Sequence, residues 1–239
     1  MQETRYAIVN GEKIPVLISD ENEALLAAKA AGRAIVGLWR EDAQGEEWCV
    51  ADTLIADMEV ADERFLERIA RRRLGLPWDI CETERLTIRE IAERDYEEIV
   101  KNRVDESLDT VENVADYTKR HYEVFEFGFW AVEEKKSGNL VGVVGFRIPQ
   151  DDGIRGVDYY VLSLSDKNSR NDTLELGYHI FPEYRRKGYA SEACRAVIEY
   201  AREEFGIIRF IARIGKENIV SKKMAESLGF VKTEEDPFD

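Results

Sequence analysis

Cysteine is nearly absent from this chain of 239 residues: Cys49, Cys81 and Cys194 are odd in number and widely separated. No C-x-x-C pair occurs, so neither a disulfide framework nor a cysteine-based zinc site is indicated, and the thiols are expected to be reduced and mostly buried. Histidine is scarcer still. With only His121 and His179 there is no material for a histidine-rich metal centre, and no metal is expected. Long apolar runs are missing too, and the opening MQETRYAIVN lacks the basic-then-apolar pattern of a secretory signal, which makes the cytoplasm the expected compartment. Positive charge is also in short supply, with 34 Lys and Arg against 49 Asp and Glu and a net charge of -15. Nucleic-acid binding needs many cations to displace counterions, so it is not expected.

What remains is the composition of an ordinary folded protein, 44% hydrophobic and 35% charged, long enough for one large domain or two small ones. The first part reads as a small βαβ domain over residues 1–80. IPVLIS (Ile14 to Ser19) is apolar and β-branched, Asp20 and Glu23 have capping-box spacing before an alanine-rich helix, Gly32 suits the position past its end, and AIVGLW follows as a buried strand. A further helix is expected from Asp62 to Leu74, stopped by Gly75 and Pro77. Its Arg71, Arg72 and Arg73 complement the negative end of the helix dipole. The connector GLPWDICE carries Leu76, Trp78 and Ile80, and we expect it to be pinned between domains rather than solvated.

The second domain, residues 83–239, opens with a strand in ERLTIREI, followed by a helix capped by Asp95 and Glu98 and by another over Val111 to Phe125. FWAVEE and NLVGVVGFRI read as an antiparallel pair whose turn, KKSGN, uses Gly138 and Asn139 for left-handed backbone. Residues 149–172 form a polar excursion containing DDG and KNSRND around an apolar middle, DYYVLSL. TLELGYHIF is a strand that Pro182 ends.

After that strand, PEYRRKGYASEA places Arg185, Arg186 and Lys187 before Gly188, at the start of a helix whose apolar residues recur at helical spacing. Cations in an acidic chain, between a strand end and a helix N-terminus, suit an anion. Free N–H groups and the positive dipole end form a phosphate cradle, and a glycine leaves it open.

The run Arg185-Arg186-Lys187-Gly188-Tyr189-Ala190 resembles the Q/R-x-x-G-x-G/A signature of the GNAT N-acetyltransferase superfamily, and NIVSKKMAESLGF matches that family's N-x-x-S/A helix ending in L-G-F. The resemblance covers about residues 83–233. It implies an α/β (α+β) fold with a mixed, mostly antiparallel splayed sheet flanked by helices. It also implies acetyl-CoA as cosubstrate, its pyrophosphate on the amides of Arg185, Arg186, Lys187, Gly188, Tyr189 and Ala190, and its pantetheine along the strand edge at His179 and Ile180, with Asn218 and Ser221 nearby. The implied reaction is N-acyl transfer to a primary amine of a small molecule or a peptide N-terminus by direct attack. A homodimer is left open, and membrane partners are not expected.

Strand alternation puts Glu175, Gly177 and His179 on one face. Glu175 is the candidate base, since several members of the family carry a glutamate on this strand; the competing role is a carboxylate salt-bridged across the sheet. His179 reads as packing or acceptor-pocket lining rather than as a base. The chain departs from the family where it carries Ala225 in place of a proton-donating tyrosine, and where Arg213 replaces the glutamate of the ribosomal-protein alanine acetyltransferase branch. Ser221 is then the candidate acid. These departures also motivate a non-catalytic acyl-CoA sensor as the alternative. The family's final strand is not found before the terminal PFD, so DYYVLSL or the N-terminal domain is expected to replace it. SDENEALLAAKAAGRAIVGLWRE resembles a region of haloacid-dehalogenase-like phosphatases, without their nucleophile strand, and so implies a scaffold.

Overall fold

The computed structural model describes residues 1–39, 49–150, 155–164 and 173–234; the DDG and KNSRND stretches, Arg40 with Glu41, and the terminal PFD lie outside them. The chain divides into two units, Met1–Trp78 with Glu123–Glu126, and Asp79–Tyr122 with Phe127–Asp239.

The first unit contains a sheet in the order β1-β2-β3-β4, with β1 (Gln2–Val9), β2 (Glu12–Ser19), β3 (Ala34–Leu38) and β4 (Leu54–Ile55). Strands β2 and β3 are parallel and joined through α1 (Asn22–Ala30), which is the βαβ unit expected. Strand β1 was not foreseen. It pairs antiparallel with β2 through Asn10 and Gly11, both at positive φ as a two-residue hairpin requires. The Asp20–Glu23 capping box does not form: α1 is capped at Glu21 without a side-chain bond, and Asp20 pairs instead with the N-terminal amine. The expected helix is α2 (Glu63–Arg73), and the Asp62 carboxylate caps it by accepting from the Phe65 N–H at 2.7 Å. Its Arg71 and Arg73, in the last turn as expected, donate to the carbonyls of Pro77 and Gly32 outside the helix. Val16, Ile18, Val36, Phe65 and Ile69 form the core of this unit.

In the second unit the strand order is β12 (Val231–Thr233), β9 (Val157–Ser163), β11 (Arg209–Gly215), β10 (Thr173–Ile180), β8 (Leu140–Arg147), β7 (Phe129–Glu134), β6 (Leu86–Arg89) and β5 (Asp79–Glu82), with β10 and β11 parallel and every other neighbouring pair antiparallel. The mixed, mostly antiparallel fold class is therefore as expected. Asp79–Glu82, read as connector, is strand β5, which pairs with β6 (Leu86–Arg89). The capping role of Asp95 is also corrected. Its buried carboxylate accepts from Arg89 at 2.6 and 2.9 Å and from the Ala92 N–H, so it ties β6 to the turn before α3 (Tyr96–Lys101). Helix α4 (Val111–Phe125) has the expected bounds. Between β7 (Phe129–Glu134) and β8 (Leu140–Arg147) only Gly138 takes left-handed backbone, and Asn139 does not.

Strand β9 (Val157–Ser163) is the apolar middle of the excursion. It lies between β11 (Arg209–Gly215) and β12 (Val231–Thr233), antiparallel to both, so DYYVLS is an inner strand of this sheet. Helix α5 (Tyr189–Phe205) packs on β10 (Thr173–Ile180) and β8 over Trp130, Phe146 and Tyr200, whose rings meet edge to face near Phe210. A second cluster, including Ile91, Ile99, Leu108 and Phe129, lies under α3 and α4. Among the described residues no helix is long and apolar enough to cross a membrane, and no group of three or more His, Cys, Asp or Glu is placed to hold a metal ion. The cysteines are free, Cys194 buried and the others half-buried.

Candidate active site

Strands β10 and β11 pair only from Thr173–Glu175 to Arg209–Ile211. Beyond Glu175 the first runs on to Ile180 against β8 and the second to Gly215 against β9. The two edges diverge, and a cavity of about 220 Å³ opens between them, lined by Leu176, Tyr178 and His179 on one side and by Ala212, Asn218 and Ser221 on the other. A strand edge without a partner presents peptide groups that need one, which an extended amide-bearing ligand can satisfy. Gly177 is required at this point, because a Cβ there would stand 2.7 Å from the Phe129 ring.

Glu175 is 2% exposed in its side chain at the closed end of the cleft. Its Oε1 accepts from Arg147 Nε and Arg213 Nε, each at 3.0 Å, while Oε2 is buried with no hydrogen-bond partner among the described residues. The salt-bridged carboxylate is therefore present through Oε1, and the same side chain, with Oε2 left unbonded, is among those lining the cavity. Arg213 holds Glu175 in place. Arg147 also approaches Asp105 at 3.6 Å and lies over Phe129, so Asp105, Phe129 and Arg147 line the same face of the site.

His179 lines the cavity with a buried Nε2 that has no hydrogen-bond partner among the described residues. Burial, with a smaller contribution from Arg185, holds its pKa below the ordinary 6.5, and burial does the same to His121. Both imidazoles are then neutral at pH 7. We expect both histidine resonances to titrate below 6.5 in an NMR pH series, with His179→Gln assigning them. Below that value the unfolded chain takes up protons before the folded one does, so stability falls as pH is lowered through it. A midpoint above 6.5 for His179 contradicts the burial argument.

The residues from Arg185 to Ala190 do not line this cavity; they form the turn into α5. Gly188, at φ 83°, is the N-cap, and no side chain caps the helix. Arg186 is also left-handed, at φ 62°. The Arg185 guanidinium folds back onto the Ile180 carbonyl at 2.9 Å, and the Lys187 ammonium lies 4.8 Å from the Tyr184 ring centroid. Ile180 is buried beneath the turn. Asn218 caps α6 (Ile219–Ser227), its Oδ1 accepting the Ser221 N–H at 3.1 Å. Four expected residues, Glu175, His179, Asn218 and Ser221, thus line one cleft, and the cationic turn is a separate element.

Sequence reasoning missed what fastens that turn. Arg85, just before β6, donates from Nη1 to the Lys187 carbonyl at 2.8 Å and from Nε to Glu192 at 2.7 Å, and its guanidinium lies 4.8 Å from the centroid of the Tyr189 ring. The Tyr189 hydroxyl donates to Glu134. With the Lys187 carbonyl tied back, the turn's shape is set from outside. Arg85→Ala is expected to raise the KM for acetyl-CoA about three- to tenfold with little change in kcat, the scale of one lost charge-assisted bond at a half-exposed site. Steady-state kinetics check this; an unchanged KM removes Arg85 from the cradle.

Known proteins resemble parts of the chain. The Bacillus subtilis protein named "Uncharacterized N-acetyltransferase YoaA" is 26% identical over 165 residues, 64% of this chain and 83% of its own. The Aspergillus fumigatus "FsC-acetyl coenzyme A-N(2)-transacetylase" is 31% identical over 68 residues, 28% of this chain and 29% of its own. A solved GnaT-family structure from Bordetella pertussis shares the fold at TM-score 0.50 and 20% identity, covering 66% of this chain and 92% of that one. The family described as Acetyltransferase (GNAT) domain matches residues 85–231, a stretch that holds the splayed strands, the Gly188 turn and the Asn218 helix together, and the chain belongs to that family as a GNAT-type N-acetyltransferase.

Proposed function

We propose that this protein transfers the acetyl group of acetyl-CoA to a primary amine of a small molecule or a peptide N-terminus by direct attack. The observation that carries the reading is the buried Glu175 Oε2, unpartnered where β10 and β11 part. The residues present fit acetyl-CoA. Gly188 is left-handed and uncapped by any side chain, so the α5 N-terminus is open to a phosphate, and the unpaired edge of β10 at His179 suits an amide-bearing arm. When bound, acetyl-CoA supplies an activated thioester carbonyl. Glu175 Oε2 orients the amine and takes its proton, and the Ser221 hydroxyl faces the departing sulfur as donor. His179, neutral, lines the acceptor side. The chain's net charge of -15 favours encounter with a cationic acceptor.

We also infer that residues 1–80 are a non-catalytic scaffold or recognition domain and residues 83–239 the acetyltransferase domain. Strand β5 argues for dividing them before Asp79. The likeness to haloacid-dehalogenase-like phosphatases is a proposal about ancestry, supported by the β2-α1-β3 unit. A panel of primary amines, read by release of free CoA thiol, tests the activity. Release with at least one amine is expected; binding of acetyl-CoA without release to any amine overturns the transferase reading for this chain.

A further inference from the structure

Tyr178 had no role in the sequence reading, yet its phenol donates to Ser221 Oγ at 2.9 Å across the cleft between β10 and α6. Both residues line the cavity, and the other residues of α6 on that wall, Met224 and Ala225, bring no proton donor in their side chains. Alternation along β10 puts Tyr178 on the opposite face from Glu175 and His179. The proton-accepting groups therefore lie on one side of the strand and the Tyr178–Ser221 pair on the other.

We propose that Tyr178 is a positioning residue for Ser221: by donating to Oγ it turns the Ser221 proton into the cavity, toward the sulfur that leaves the thioester. This rests on the acetyl-transfer reading above. A serine hydroxyl has one proton and two lone pairs, and once a lone pair accepts from the phenol the remaining O–H must point away from it. Burial raises the phenol above its ordinary value of 10.0, so Tyr178 keeps its proton across the working range and acts as donor throughout. As the C–N bond forms and the C–S bond breaks, the Ser221 hydrogen bond stabilises charge on sulfur. The amine proton passes to Glu175 and on to water, and the thiolate takes one from water. The sum is amine plus thioester giving amide plus thiol.

The test compares wild type, Tyr178→Phe, Ser221→Ala and the double variant, with acetyl-CoA and hydroxylamine as probes and free thiol as readout. Each single change is expected to lower kcat about tenfold with the acetyl-CoA KM within about twofold, because one hydrogen bond to a charged sulfur is lost. The double variant is expected to lose no more than the larger single loss, since Tyr178 acts only through Ser221. Ser221→Thr, which restores a hydroxyl, should keep most of the activity beside Tyr178 and lose it when combined with Tyr178→Phe. A second measurement needs no variant: the thiol of CoA bound to the wild-type protein, followed by thiolate absorbance, should ionise at lower pH than free CoA. Tyr178→Phe equal to wild type, single losses that multiply, or a bound thiol that ionises no earlier than free CoA each overturn the positioning role alone. Failure of the wild type to bind acetyl-CoA in calorimetry overturns the functional reading as well.

Discussion

Gly188→Val is expected to abolish measurable acetyl-CoA binding while leaving the chain folded. Gly188 holds φ 83° at the N-cap of α5, a conformation that costs an L-residue about 1–2 kcal/mol and a β-branched one more. That cost is small against the roughly 5–15 kcal/mol by which domains are stable. Folding survives, but the turn has two poor choices. If it keeps its shape, the new Cβ stands 3.3 Å from Arg85 Nη2, and the branched side chain covers the helix N-terminus. If the backbone relaxes to negative φ, the Lys187 carbonyl leaves Arg85 and the free N–H groups turn away from the ligand. Either way the affinity falls by about a hundredfold or more, the loss of two or more charge-assisted bonds. Calorimetry measures it, with thermal melting to establish folding and Gly188→Ala expected between the two. A folded Gly188→Val protein with wild-type affinity removes the pyrophosphate from this turn.

The second large effect is expected at Glu175. Glu175→Gln should lower kcat about a hundredfold or more near neutral pH, with acetyl-CoA affinity within about twofold, because the amide no longer accepts the amine proton. The same change removes the negative partner that Arg147 and Arg213 share. Arg147 is 43% exposed and loses little, but Arg213 is 8% exposed and pairs with Glu175 away from water, so a cost of about 3 kcal/mol and a clearly lower melting temperature are expected here. Activity is therefore compared well below the melting transition. A lower melting temperature with unchanged turnover per folded molecule assigns Glu175 to the ion-pair network alone and moves proton acceptance to His179 or water.

The elements read correctly from sequence share one property: their defining interactions are short in range. Helices α2 and α4, the Gly188 turn and the apolar spacing of α5 each close within a few residues, so local residue types suffice to show them. Strand β1 was legible by the same standard. Asn10-Gly11 after the alternating run of β1 is a hairpin signal. The misread caps fail for a different reason. Asp20 and Asp95 have the right spacing for capping, but charged donors reach them first: the chain terminus pairs with Asp20, and Arg89 turns Asp95 back toward the Ala92 N–H and away from the amides of α3.

By itself the sequence determined the family and the order of its parts, because a strand, a glycine turn and two helices with their signatures are contiguous patterns. Tertiary structure alone decided how those parts become a site. Glu175 meets Arg147 from 28 residues upstream and Arg213 from 38 downstream, and Arg85 reaches Lys187 across 102 positions. Strand β9, the apolar middle of a polar stretch, pairs beside β11, and the end of β10–β11 pairing at Glu175 opens the cleft. Such choices depend on which strand edges meet and in what register, and that is set by burying the sheet faces under α3, α4 and α5 rather than by any local run of residues.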